Sequence, residues 1–210
     1  MHLNLNQYYQ LRDVVADGRR PDLTECFDNT SGMIYLEESI FLYHAARQVT
    51  QGCIVEVGSY RGRSTVFLAR GSMDGNMAPV YAIEPHQDFI GILGGVFGPK
   101  DKAYFYRAML DNKCGEVVRL VNLSSEIISS GWKDKISILW IDGDHSYGGV
   151  KRDFECWKPH LLPGALVIFD DATDPTLGPQ TLINELTAAE EFKVVFQVGR
   201  ISVLRDQALI

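Results

Sequence analysis

The sequence predicts an α/β protein: a doubly wound, Rossmann-like sheet, mostly parallel, with an antiparallel C-terminal hairpin strand. Three observations predict it. Five short apolar runs, at 54–57, 79–83, 117–121, 136–141 and 165–169, alternate with segments of helical period, the pattern of successive βαβ units. Each run ends in polar residues, as strands do when their carboxyl ends face one ligand crevice. Finally, the β-rich runs 193–198 and 201–204 are separated only by Gly199-Arg200. Two residues cannot cross a sheet, so these runs form a hairpin, with Gly199 suited to the first central position of a II′ turn. Five strands and a hairpin make a seven-stranded sheet.

Size and charge narrow the classes. At 210 residues the chain is long enough for one sizeable core and short for two. Lys and Arg total 20 against 27 Asp and Glu, and the resulting net charge of −7 argues against a nucleic-acid partner. Cys26, Cys53, Cys114 and Cys156 form no C-x-x-C pair, which excludes a zinc ribbon and disfavours a dithiol redox site. Neither a signal-peptide pattern nor an apolar stretch of membrane-spanning length is seen, so a soluble, cytoplasmic protein without a membrane partner is expected.

Residues 1–34 are irregular in pattern, broken by Gly18, Pro21 and Gly32, and are expected to cap a pocket or an oligomer interface ahead of one domain, 35–210. Helical spacing covers 36–49, with Glu37 and Glu38 where the dipole favours them. The run Ile54-Val55-Glu56-Val57 breaks into Gly58 and Gly62 before a helix begins near Val66, giving strand, tight turn, helix. Gly71 to Gly75 is expected to turn, and 79–83 is a strand closed by Glu84. The glycine-rich 85–100 is long for an α/β connection and is expected to be a lid. A helix over 101–112, a strand over 117–121 and a short helix capped by Ser124 or Ser125 follow. The almost wholly apolar 136–141 is a central parallel strand running into Asp142-Gly143-Asp144-His145. A helix over 150–160, a turn at Pro163-Gly164, a strand ending in Asp170-Asp171 and a helix over 180–191 complete the order before the hairpin. His86 and His160 are expected to be structural.

The crevice should therefore collect Glu56, Gly58, Glu84, Ser124, Asp142, Asp144, His145, Asp170 and Asp171. A dinucleotide site prefers G-x-G-x-x-G, whereas this chain has Gly58-x-x-x-Gly62 preceded by a carboxylate. That arrangement suits a ligand with a cationic part, and Glu84 is placed to accept hydrogen bonds from ribose hydroxyls. A nucleoside with a positively charged tail fits better than a dinucleotide.

The motif Glu56-Val57-Gly58-Ser59-Tyr60-Arg61-Gly62-Arg63-Ser64-Thr65, the acidic Glu84, the run Trp140-Ile141-Asp142-Gly143-Asp144-His145-Ser146-Tyr147, and Lys158-Pro159 through Pro163-Gly164 to Asp170-Asp171 resemble class I S-adenosylmethionine-dependent methyltransferases. The chain looks most like their small O-methyltransferase branch, which includes cephalosporin-hydroxylase-type and sugar or macrolide enzymes. The resemblance covers roughly residues 36–205 and implies a seven-stranded sheet with its last strand antiparallel. It implies that the turn of Glu56, Gly58, Ser59, Tyr60, Gly62, Ser64 and Thr65 holds the methionine part of S-adenosyl-L-methionine, Glu84 the ribose, and Leu123, Ser124 and Ser125 the adenine edge. For the two serines, plain helix capping is the competing explanation. Asp142, Asp170 and Asp171, with no Lys or Arg in the immediate motif, would repel unless a cation or a proton sits among them; a divalent ion is the economical answer, and catechol-type relatives bind Mg²⁺ with a matching set. Asp142 is open between a divalent cation and the cofactor's amino group. His145 is the candidate general base, since the catechol-type lysine has no counterpart in Asp144-His145-Ser146; loop shaping is the alternative for Asp144 and His145. The expected activity is methyl transfer to a hydroxyl of a small molecule, a sugar or secondary metabolite. A nucleotide- or NAD(P)-binding oxidoreductase and a catalytically silent cofactor-binding module are the alternatives. Homo-oligomerisation is left open.

Overall fold

A parallel strand covered on both faces is apolar at most positions, and β1 (Cys53–Val57) and β6 (Ile136–Ile141), polar only at Glu56 and Ser137, lie at the centre of a computed structural model that describes residues 21–206. The two pair in parallel. β2 (Val80–Ile83) and β5 (Val118–Val121) extend the sheet on one side. On the other lie β7 (Leu161–Phe169), β9 (Ile201–Asp206) and β8 (Phe192–Val198). The seven-stranded order is β5-β2-β1-β6-β7-β9-β8, with β9 antiparallel to both β7 and β8. The predicted architecture is thus observed, and the order reverses between β1 and β6. That reversal places the site.

Helices α1 (Pro21–Asn29), α2 (Leu36–Arg47), α3 (Arg63–Met73) and α4 (Asp101–Asp111) contribute to one core with Ile54, Trp140 and Ile168. Helices α6 (Tyr147–Trp157) and α7 (Gly178–Ala188) build the other with Val55, Leu139 and Val167. A short α5 (Ser125–Ser129) follows β5. The alternation of Ile54 and Val55 between the two cores is the period of a strand, and it puts Glu56 on the α3 side. Among the described residues no helix is long and apolar enough to cross a membrane.

Three local expectations change. The segment 21–29, expected to be irregular, is helical and buries Leu23 and Cys26; residues 1–20 of the expected cap lie outside the described residues. The turn expected at Gly71 begins later, because α3 continues to Met73 against α2: a Cβ on Gly71 would lie 2.1 Å from the Tyr43 carbonyl oxygen, so only glycine allows the approach. Pro163 and Gly164 lie within β7, where the register against β6 shifts and Gly164 takes φ +76. They form a bulge, not a turn. The glycine-rich segment folds as a flap, with β3 (Phe89–Ile90) pairing antiparallel with β4 (Val96–Phe97).

Candidate active site

Where the sheet order reverses, the loops after β1 and β6 separate and leave a crevice between them. Their backbones nearly touch at its floor. Gly58 sits at φ +87, and a Cβ there would be 2.2 Å from the Asp142 carbonyl oxygen, so the strand ends can lie this close only with glycine. Above this floor opens a cavity of about 490 Å³.

Of the residues expected in the site, Gly58, Ser59, Tyr60, Ser64, Glu84, Ser124, Ser125, Asp142, Asp144, His145, Asp170 and Asp171 line it, whereas Glu56, Gly62, Thr65 and Leu123 do not. Glu56 is fully buried and accepts hydrogen bonds from the hydroxyls of Ser64 and Thr65, clamping the first turn of α3 to the end of β1. Burial pushes its carboxyl up to about 7, against those two hydrogen bonds and with the nearby Glu84 adding to the rise. Gly62, at φ +93, is the N-cap of α3 and packs toward Met109 and Phe105. These residues shape the turn from beneath.

Glu84 is fixed at both oxygens. Oε2 accepts the Tyr60 N–H at 3.1 Å and Oε1 the His86 N–H at 2.9 Å, which leaves each oxygen a further lone pair toward the cavity. Tyr60 and His86 both adopt positive φ, +45 and +51, to aim those N–H groups. His86, expected to be structural, lines the cavity and is held at both ring nitrogens: Nε2 meets the Tyr60 carbonyl at 2.9 Å and Nδ1 the Asn122 amide at 3.1 Å. The Ser125 hydroxyl accepts from Trp157 Nε1 at 3.0 Å and hydrogen-bonds Asp153, so its side chain belongs to the framework. Ser124 is the N-cap of α5, with no hydrogen bond from its side chain to the helix.

The opposite corner is acidic. His145 Nε2 lies 3.4 Å from Asp142 Oδ1 and its Nδ1 3.4 Å from Asp171 Oδ2. Burial drives the carboxyls of both Asp142 and Asp170 well above the usual range; Glu56 and Asp171 add to the rise at Asp142 against its hydrogen bond with Asp170, and Asp142 adds to it at Asp170 against Arg200. Asp170 keeps Oδ1 buried with no hydrogen-bond partner among the described residues. Ligand atoms of Asp142, His145 and Asp170 all lie within 4.8 Å of one another. Asp144 shapes the loop, accepting from the N–H and hydroxyl of Ser146, both at 2.9 Å. Both Asp144 and His145 line the cavity.

Arg200 and Asp153 are among the lining residues that escape the sequence reading. Arg200, in the hairpin turn, brings to the acidic corner the cation that the local motifs lack: Nη1 reaches Asp171 Oδ1 at 2.7 Å, Nη2 lies 3.9 Å from Asp170, and its backbone N–H donates to Glu38 at 2.8 Å. Nothing local signals this. Asp153 is buried on α6 and its carboxyl is raised by burial. Its signal was present, since positions 150, 153, 154 and 157 form one buried stripe of that helix and Asp153 is the only acid in it.

A family model described as "Methyltransferase domain" matches residues 55–172. A Sinorhizobium fredii protein called "Uncharacterized protein y4gI" is 29% identical over 139 residues, 63% of this chain and 14% of that protein, so this chain spans a small part of that relative's length. Among solved structures, the O-methyltransferase from Bacillus cereus in complex with SAH is 18% identical, with 94% of this chain and 89% of that one covered and a TM-score of 0.64. The O-methyltransferase TomG from Streptomyces achromogenes, in complex with SAM, is 15% identical, with 90% and 91% covered and a TM-score of 0.65. These likenesses share the fold, and the family match takes in Glu56, Gly58, Glu84, Asp142 and the Asp170-Asp171 pair: the chain belongs to the methyltransferase-domain family.

Proposed function

We propose that this chain transfers a methyl group from S-adenosyl-L-methionine to a hydroxyl oxygen of a small molecule, a sugar or secondary metabolite. The observation that carries this reading is the presence in one cavity of an immobilised carboxylate, Glu84, and a histidine between carboxylates, His145. Glu84 offers its remaining lone pairs to two ribose hydroxyls. Gly58 lets the backbone approach the methionine part, with Ser59, Tyr60 and Ser64 around it, and the α5 N-terminus at Ser124 and Ser125 meets the adenine edge. The cofactor supplies an electrophilic methyl group on a positively charged sulfur. His145 takes the hydroxyl proton as the acceptor oxygen bonds to that methyl group and the methyl–sulfur bond breaks, with S-adenosylhomocysteine as the leaving group, and Asp171, anchored by Arg200, orients the ring. Holding the oxygen in line is the main contribution of the site. Residues 32–34 line the cavity, which supports a capping role for the N-terminal segment.

A divalent cation such as Mg²⁺ fits the corner in part. Asp142 and Asp170 would hold it, since Asp170 Oδ1 is buried without a partner; Asp171 is engaged by Arg200 and would ligate only by leaving it. When bound, the ion would lower the pKa of the acceptor hydroxyl.

Incubation with methyl-labelled S-adenosylmethionine and a panel of hydroxylated acceptors tests the reading. Label should enter an acceptor, His145→Gln should lower kcat by about 10²–10⁴-fold with cofactor binding intact, and chelation should lower turnover without affecting that binding. Tight cofactor binding without transfer to any acceptor would identify a silent module instead.

A further inference from the structure

We propose that the β3–β4 flap is the acceptor-selecting wall of the cavity and that the acceptor is amphipathic, its hydroxyl at the His145 corner and an alkyl or aryl portion against Ile92 and Leu93. The proposal rests on the methyl-transfer reading in that it takes the acceptor to enter the same cavity. Phe89, Ile92, Leu93 and Phe97 line that cavity. Yet Ile92 and Leu93 are 56% and 67% exposed. Apolar side chains that line a cavity and yet stay in water suit the apolar portion of that cavity's ligand.

The flap is held in place. At its base the Gly98 N–H donates to Asp101 Oδ2 at 3.0 Å, and Asp101 Oδ1 accepts from Arg61 Nε at 2.7 Å. The Phe97 ring packs edge-on to Tyr60, with centroids 5.1 Å apart. At the tip Gly94 takes φ +81, donating to Gly91 O at 2.8 Å, while the Gly91 N–H donates to Gly95 O at 2.9 Å. The tip therefore presents its side chains without collapsing onto the core. The polar groups that a nucleoside and an amino acid need are offered by Glu84, Gly58 and the α5 N-terminus; Ile92 and Leu93 offer none. Each acceptor methylene buried there would tighten binding by up to about fourfold.

Calorimetry on protein saturated with S-adenosylhomocysteine tests this, titrating methyl, hexyl and octyl β-D-glucosides and a parallel series of 4-alkylphenols. The hexyl compound should bind at least about tenfold tighter than the methyl compound in one series. An Ile92→Asn, Leu93→Asn double variant should lose that gain. Ile127→Asn, on the exposed face of α5 outside the cavity, should keep it. Affinity independent of the tail in both series, or tail dependence that survives the double variant, overturns the proposal. Weaker S-adenosylhomocysteine binding in the double variant assigns the flap to the cofactor, and lost self-association with unchanged glucoside binding assigns it to a second copy; either overturns it. If the wild-type chain binds no S-adenosylhomocysteine, the cofactor reading fails on its own, and the same series run without it decides the apolar subsite separately.

Discussion

Arg200 Nη1 donates to Asp171 Oδ1 across 2.7 Å, although the two residues are 29 apart in sequence. The same side chain stacks over Tyr35 at 4.5 Å and donates to the Met33 carbonyl at 3.2 Å. One residue of the hairpin turn thus ties the N-terminal segment, the end of β7 and the acidic corner together.

Removing that side chain leaves Glu38, which is fully buried, together with Asp170 and Asp171, without their cation. Arg200→Ala should destabilise the fold by ~3 kcal/mol, lowering the melting temperature by roughly 6–12 °C. Arg200→Lys keeps charge without the fork and should fall between the two. Thermal melts of the three proteins check this, and coincident curves would show that Arg200 does not neutralise the corner.

Gly58→Ala should fail for two physical reasons: its φ of +87 strains any Cβ, and that Cβ meets the Asp142 carbonyl oxygen at 2.2 Å. A loss of at least about 2 kcal/mol is expected, with cofactor affinity reduced as well. Gly115→Ala, where a Cβ meets nothing within 4 Å, is the control and should stay within about 0.5 kcal/mol of the parent. Chemical denaturation of both variants separates the site effect from a general cost of replacing glycine.

Glu56 couples stability to pH. Its folded carboxyl is raised from 4.5 to about 7, so between those values the native chain holds a proton that the unfolded chain has released. Its contribution is therefore most favourable below about pH 4.5, declines as pH rises toward 7, and is constant above that. Glu56→Gln, whose amide oxygen can accept from one of the two hydroxyls while its NH2 donates to the other, should remove this slope. The stability difference between pH 5 and pH 8 should shrink by on the order of 2–3 kcal/mol relative to wild type. Parallel pH profiles of the two proteins would show that Glu56 titrates normally.

The fold was legible because it is written in local periodicity: continuous apolar runs mark the parallel strands, and a two-residue link permits only a hairpin. The crevice followed, because a doubly wound sheet brings its strand ends together wherever the chain supplies Gly58, Glu84, Asp142 and Asp170. What escaped depends on tertiary contact. Gly71 reads as a breaker until α2 is seen lying against it, and Pro163-Gly164 reads as a turn although a bulge accommodates both. Glu56 was expected to meet the ligand, but strand alternation turns it beneath α3. Arg200 was assigned only a place in a turn, since no spacing rule links it to an aspartate two elements earlier.

The most direct test is calorimetric titration of the wild-type chain and Glu84→Ala with S-adenosylhomocysteine and, separately, with NAD. If the cavity is built for a nucleoside whose ribose is held by Glu84, S-adenosylhomocysteine binds at one site, the variant binds it about 10–100-fold more weakly, and NAD does not saturate. Saturable binding of NAD with none of S-adenosylhomocysteine, or equal affinity in the two proteins, would contradict it.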